Sequence, residues 1–246
     1  MFRSSTYWLL RIGSTAAILG SVLAAIGNIV HPVTPRDDPV GVARVIADSD
    51  EWTAIHLLIL VGTTLMLFGL IALRHSIEAG LAGALARLGS YTATIGVTVG
   101  LLTVILDGVG AKELADQWAV APGAEKAIAL GLVTVNETIN FALAGLFNVS
   151  FAGVPFILFG LAVALSDPYP HWLGWIATLA GVGSIGAGLV QAFTGEPTTL
   201  SLVLTIVGPT VICAWVLVMG FLIGRRASRT IREEQGSRAV AASQTS

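Results

Sequence analysis

The chain has 246 residues, of which 54% are hydrophobic and 11% charged, with a formal net charge of −2. A soluble domain carries nearer ~25% charged residues, so water is excluded as the solvent for most of this chain, and without a basic excess there is no electrostatic ground for a nucleic-acid partner. The lone cysteine, Cys213, excludes an intrachain disulfide.

Windows of about 19 residues pick out six apolar stretches, at roughly 9–30, 52–73, 84–106, 141–165, 172–193 and 200–223, each long enough for a ~30 Å hydrocarbon layer. The fold class expected is therefore all-α, a polytopic membrane protein with six transmembrane helices in one domain over 1–224. A basic tail, 225–246, is expected to follow as a disordered cytoplasmic segment. The first stretch is retained as a span although Arg3 and Arg11 precede it: its apolar run from Ile12 to Val30 exceeds the ~7–15 residues of a signal-peptide core, and no A-x-A site follows.

Orientation is read from the cations. With both termini inside, Arg3, Arg11, Arg74, Arg87, Arg225, Arg226, Arg229, Arg232 and Arg238 lie on the cytoplasmic side, and only Arg36, Arg44, Lys112 and Lys126 lie outside. Nine against four favours an N-in, C-in chain with an even number of spans. Residues 126–165 are apolar enough to hold two spans meeting near Asn148, but a seventh span would send the arginine-rich tail outside. The stretch 124–140 is instead expected to be an amphipathic outer segment leading into the fourth span, with Asn136, Glu137 and Asn140 facing protein or water; a re-entrant hairpin is the alternative.

Inside the spans, Gly13, Gly20 and Gly27 recur every seven residues in the first, Gly89 and Gly96 in the third, and Gly174, Gly181 and Gly188 in the fifth. Such stripes let helix backbones approach closely where lipid removes the hydrophobic drive to associate. Pro155 and Pro209 fall mid-span, where a missing backbone donor is expected to kink the fourth and sixth helices. Asn148 and Gln191 read as hydrogen-bonding glue between helices.

The first loop, "HPVTPRDDPVGVARVIADSDEW", carries helix signals of its own. Asp38 followed by Pro39 is an N-cap with proline at the first helical position, and Val42, Val45 and Ile46 offer one apolar face, so a short surface helix is expected there. Ser49 or Asp50 is expected to cap the second span, with Trp52 anchoring at the interface and His56 one turn deeper.

Four ionisable residues gather at this outer level: His31 ends the first span, His56 enters the second, Asp107 ends the third in "ILDGVG", and Glu137 precedes the fourth. Ionisable groups at membrane depth are costly unless they face the bundle and partner one another. Two imidazoles and two carboxylates can ligate zinc or another transition metal, or relay protons. They can equally form a structural polar cluster, since no H-x-x-x-H or H-E-x-x-H spacing puts several ligands on one helix. His75 and His171 lie at the inner boundary, which raises a transmembrane haem arrangement with inner and outer pairs. His75 follows Arg74 in what reads as a solvated flank, ~28 Å along the helix from His56, so haem is not expected. The tail is expected to touch anionic lipid.

In order along the chain, "HP", the acidic loop, "WTAIH", "FGLIAL", "LDGVGAKELADQW", "APGAEKA" and "PHWLGW" resemble a group of multi-pass bacterial membrane proteins that has no assigned activity. The likeness covers most of the chain up to Trp175 and implies six helices and a bacterial plasma-membrane location. Taken together, these readings describe a non-enzymatic protein of the lipid bilayer with an outward-facing polar pocket that binds or moves a small ligand, and with no resident cofactor expected. The competing reading is a membrane metalloenzyme or redox protein with its metal at His31, His56, Asp107 and Glu137. Substrate and oligomeric state are not written in these motifs.

Overall fold

The computed structural model describes the backbone of residues 5–35, 37–195 and 198–244. Arg3 and Arg36 of the cation count lie outside the described residues, as do the side chains of Arg232 and Arg238. Every regular element among the described residues is helical: α1 Ser5–Val30, α2 Pro39–Ala47, α3 Trp52–Ser76, α4 Gly80–Thr103, a π-helical segment π1 Val104–Ala111, α5 Lys112–Val120, α6 Gly123–Phe147, a second π-helical segment π2 Asn148–Gly153, α7 Val154–Ala164, α8 His171–Thr194 and α9 Thr199–Gln244. Six helical stretches are long and apolar enough to cross a membrane.

Two of these stretches differ from the sequence expectation in the same way. The third does not end at Asp107 but continues through π1 and α5, so that Gly80–Val120 is one helical run of 41 residues; the fourth begins not at 141 but at Gly123 and runs 42 residues to Ala164. At 1.5 Å per residue each is about twice as long as a ~30 Å layer requires. The chain passes Asn148 without reversing, so neither two spans nor a re-entrant hairpin is formed there. The last helix likewise continues beyond 223 through the arginine-rich segment to Gln244.

The long helices alternate in direction and pack on their neighbours in chain order, α1 on α3, α3 on α4, the α4 run on the α6–α7 run, α7 on α8 and α8 on α9; α9 then closes the circuit against α1. The glycine stripes lie at these seams. A Cβ on Gly20 would come within 2.6 Å of the Gly62 carbonyl oxygen, one on Gly96 within 2.5 Å of the Phe151 backbone, and one on Gly181 within 2.7 Å of the Gly153 oxygen. Backbones this close gain dispersion contacts that larger side chains would prevent. Pro155 stands in the first turn of α7, directly after π2. Its missing N–H interrupts the backbone ladder of this continuous run, and the interruption coincides with the wide π turn. Pro209 lies inside α9.

Much of the bundle interior is apolar, with the Asn148 amide donating to Gln191 Oε1 within it at 3.0 Å. Met66, Leu70, Phe151, Phe156, Phe159 and Trp215 are buried in one core, with Phe156 set edge-on to Trp215 at 5.7 Å. Beyond one end of this core, α5 and the first half of α6 project as a hairpin. Asp38 caps α2 as its sequence predicts, accepting from the Gly41 N–H at 2.9 Å. The face that α2 buries centres on Ala43 and Ile46, with Val42 and Val45 at its margins. Ile46 packs with Trp52, Ala111 and Ala115, Ala43 packs with Trp118 and Val133, and Lys112 donates to the Ala47 carbonyl at 2.8 Å. The three segments thus form a cap over this end of the bundle. The opposite end carries Arg11, Arg74, Arg87, Arg225, Arg226 and Arg229 and is called the arginine end below.

Candidate metal centre

Three of the four ionisable residues singled out by sequence meet beneath the cap. His31 is the first residue beyond α1, on irregular backbone; His56 lies one turn into α3; Asp107 lies in the middle of π1. His31 Nε2 is 3.2 Å from His56 Nε2, and His56 Nε2 is 3.1 Å from Asp107 Oδ2. His56 is 4% exposed and His31 partly buried. Glu137, on α6, acts electrostatically on both Asp107 and His56. His75 is elsewhere, lining a cavity of about 980 Å³ at the arginine end, and His171 is exposed at the start of α8.

The tautomers follow from the partners. His31 Nδ1 lies 2.8 Å from the Pro32 carbonyl oxygen and His56 Nδ1 lies 2.7 Å from that of Trp52. A carbonyl only accepts, so each Nδ1 carries the proton, and in the neutral ring each Nε2 presents a bare lone pair. Burial, with His56 alongside, holds the His31 imidazole below its ordinary pKa and favours that neutral form. Two imidazole lone pairs and a carboxylate oxygen therefore converge on one volume. Such a meeting is repulsive unless a cation stands between them, either a proton on His56 or a metal ion.

Local structure makes this convergence possible. A π turn widens the helix by one residue and leaves its carbonyls poorly served. Here three successive carbonyls are captured by side chains from neighbouring helices: Asn136 Nδ2 donates to Leu106 at 3.1 Å, Trp52 Nε1 to Asp107 at 2.7 Å, and Thr53 Oγ1 to Gly108 at 2.6 Å. Gly108 lies against the His56 side chain, where a Cβ would approach His56 Cβ to 2.5 Å. The Trp52 ring lies 5.0 Å from His31 and 4.8 Å from His56, forming a wall beside both imidazoles.

The sequence reading placed Asp107 at an ordinary helix end and Trp52 as an interface anchor. Instead Asp107 is held mid-helix, and Trp52, 2% exposed, fixes the backbone that presents it. The second helix begins after Glu51, and neither Ser49 nor Asp50 caps it; Glu51 itself makes no side-chain cap bond. Gly108, Thr53 and Asn136 escaped assignment to the site because their roles arise only when π1, α3 and α6 are packed together. "WTAIH" does contain the spacing of Trp52 and His56, i and i+4 on one helix face.

The chain matches no protein-family model, no curated protein and no solved structure.

Proposed function

We propose that this is an integral membrane protein of the bacterial plasma membrane, N-in and C-in, that binds one first-row transition-metal ion of the zinc class at its outer end. The observation that carries the reading is the convergence of His31 Nε2, His56 Nε2 and Asp107 Oδ2 with both Nδ1 atoms committed to backbone carbonyls. Metal-ligating histidines regularly donate their other ring N–H in this way, which fixes the ring and its basicity. Bonds of ~2.0–2.2 Å at tetrahedral angles place donor atoms ~3.3–3.6 Å apart. The two separations, 3.2 and 3.1 Å, lie just below that range. All three donor atoms lie within 4.8 Å of one another. A haem is disfavoured by the same geometry, since Nε2 atoms 3.2 Å apart leave no space for a macrocycle between them.

The six apolar helices and the cation asymmetry support the membrane assignment and its orientation. The apolar core cluster of the bundle favours binding at the outer face over passage through the bundle. Elemental analysis of purified, zinc-equilibrated protein should find one ion per chain, lost in both His56→Ala and Asp107→Ala; wild-type protein that retains no ion defeats the reading. A second reading, a proton held on His56 against Asp107, is favoured by their 3.1 Å ion-pair geometry and survives that result. For orientation, a reporter active only outside the cell should be silent when fused after Arg238 and active at Gly123; an active tail fusion contradicts the N-in, C-in arrangement.

A further inference from the structure

Among the described residues, only three buried side-chain oxygens or nitrogens lack a hydrogen-bond partner: Glu137 Oε1, Asn140 Oδ1 and Ser150 Oγ. Ser150 belongs to π2, deeper in the bundle. The other two stand one turn apart on α6, a spacing at which side chains share a face. Asn140 is also one turn along α6 from Asn136, whose side chain reaches the Leu106 carbonyl, so it shares the face that α6 turns to π1. Glu137 is close enough to His56 and Asp107 for their charges to act on it. Two buried acceptors without a donor thus lie on the part of α6 that packs on π1, the segment carrying Asp107. Asn140 is only 9% exposed, and leaving such an acceptor unserved is costly, so a donor is required there.

Resting on the metal reading above, we infer that the ion keeps one water, whose oxygen binds the metal and whose two hydrogens are accepted by Glu137 Oε1 and Asn140 Oδ1. One molecule then satisfies both orphan acceptors and fills the fourth position left by His31, His56 and Asp107. Three protein ligands with a retained water are the arrangement of a reactive zinc centre, whereas a structural site is closed by four protein ligands. A bound ion would polarise that water and Glu137, when ionised, would be the group to take its proton, the two requirements for delivering hydroxide to an electrophile. The ligand class that enters is one whose oxygen or nitrogen replaces the water: a small anion such as azide, or a hydroxamate that also offers a hydrogen to Glu137.

The test uses full-length protein in detergent micelles, loaded with Co²⁺ in place of zinc, with azide and acetohydroxamate as probes. One cobalt per chain whose visible absorption shifts saturably with either probe is expected. Glu137→Gln and Asn140→Leu should keep the cobalt, with affinity lowered by no more than the ~10–100-fold typical of groups that support a metal ligand, while hydroxamate binding to Glu137→Gln weakens by a further factor of roughly 10–100 through loss of a charged acceptor. Bound cobalt that ignores both probes, together with its loss from Glu137→Gln, makes Glu137 a fourth ligand and overturns the inference while leaving the metal reading intact. Failure of wild-type protein to bind cobalt or zinc at all overturns both. Gel filtration of each variant separates a misfolded chain from a changed centre, and Asn140→Ser supplies the same readout if Asn140→Leu does not fold.

Discussion

The two ends of the bundle handle buried polar groups in opposite ways. At the arginine end polar atoms are paired off: Ser76 Oγ and Tyr169 OH are 2.6 Å apart, Trp215 Nε1 donates to the Leu173 carbonyl at 2.8 Å, and Ser14 Oγ donates to that of Gly220 at 2.8 Å. Beneath the cap the same care is given to backbone, with three π1 carbonyls each assigned a donor, yet His31 Nε2, His56 Nε2 and Asp107 Oδ2 are left to one another as partners. Saturated networks hold helices together and ask for nothing further. A group of titratable side chains that only one another serve, held by saturated neighbours, is what supports the proposal of a site at the cap end.

The largest effect that sharpens this contrast is expected from Asp107→Ala. Changing groups that merely support a metal ligand costs ~10–100-fold in affinity, so removing the carboxylate should cost more than about 100-fold, measured by zinc competition with a chromogenic chelator. Gly108→Ala is next. Its Cβ meets the His56 side chain, and overpacking of this kind costs about 1–3 kcal/mol, to be read as a lowered Tm in detergent together with loss of metal. Trp52→Phe keeps most of the ring but withdraws the indole donor from the Asp107 carbonyl, so zinc affinity should fall by about 10–100-fold with the fold retained. Ser76→Ala, at the arginine end, should lower stability by about 1–3 kcal/mol by stranding the buried Tyr169 hydroxyl and should leave zinc affinity unchanged. Equal effects of Ser76→Ala and Trp52→Phe on the metal would erase the distinction between the ends.

Much of this architecture is legible in the sequence because lipid-compatible composition is a strong signal. Six apolar runs gave six helices, the heptad-spaced glycines gave the seams, and Asp38-Pro39 gave the start of α2. What the sequence hides is a register change inside a continuous helix. A π segment inserts one residue without altering composition, so "ILDGVG" reads as a helix end when it is a widened turn inside a 41-residue run. The same reasoning extends to 124–140: its polar residues Asn136, Glu137 and Asn140 do face protein, as their spacing suggests, but the helix that carries them starts far outside the apolar window. His31, His56 and Asp107 could be grouped by depth alone. Their contact depends on Gly108 being small and on Trp52, Thr53 and Asn136 holding π1 open, and those are tertiary facts with no local signature.

X-ray absorption at the zinc edge of the loaded, full-length protein tests the central claim most directly. Two histidine imidazoles at ~2.0–2.1 Å, with the remaining neighbours oxygen, is the result predicted from His31, His56 and Asp107. A spectrum with no imidazole scattering, or one unchanged when both His31 and His56 are replaced by alanine, would contradict it.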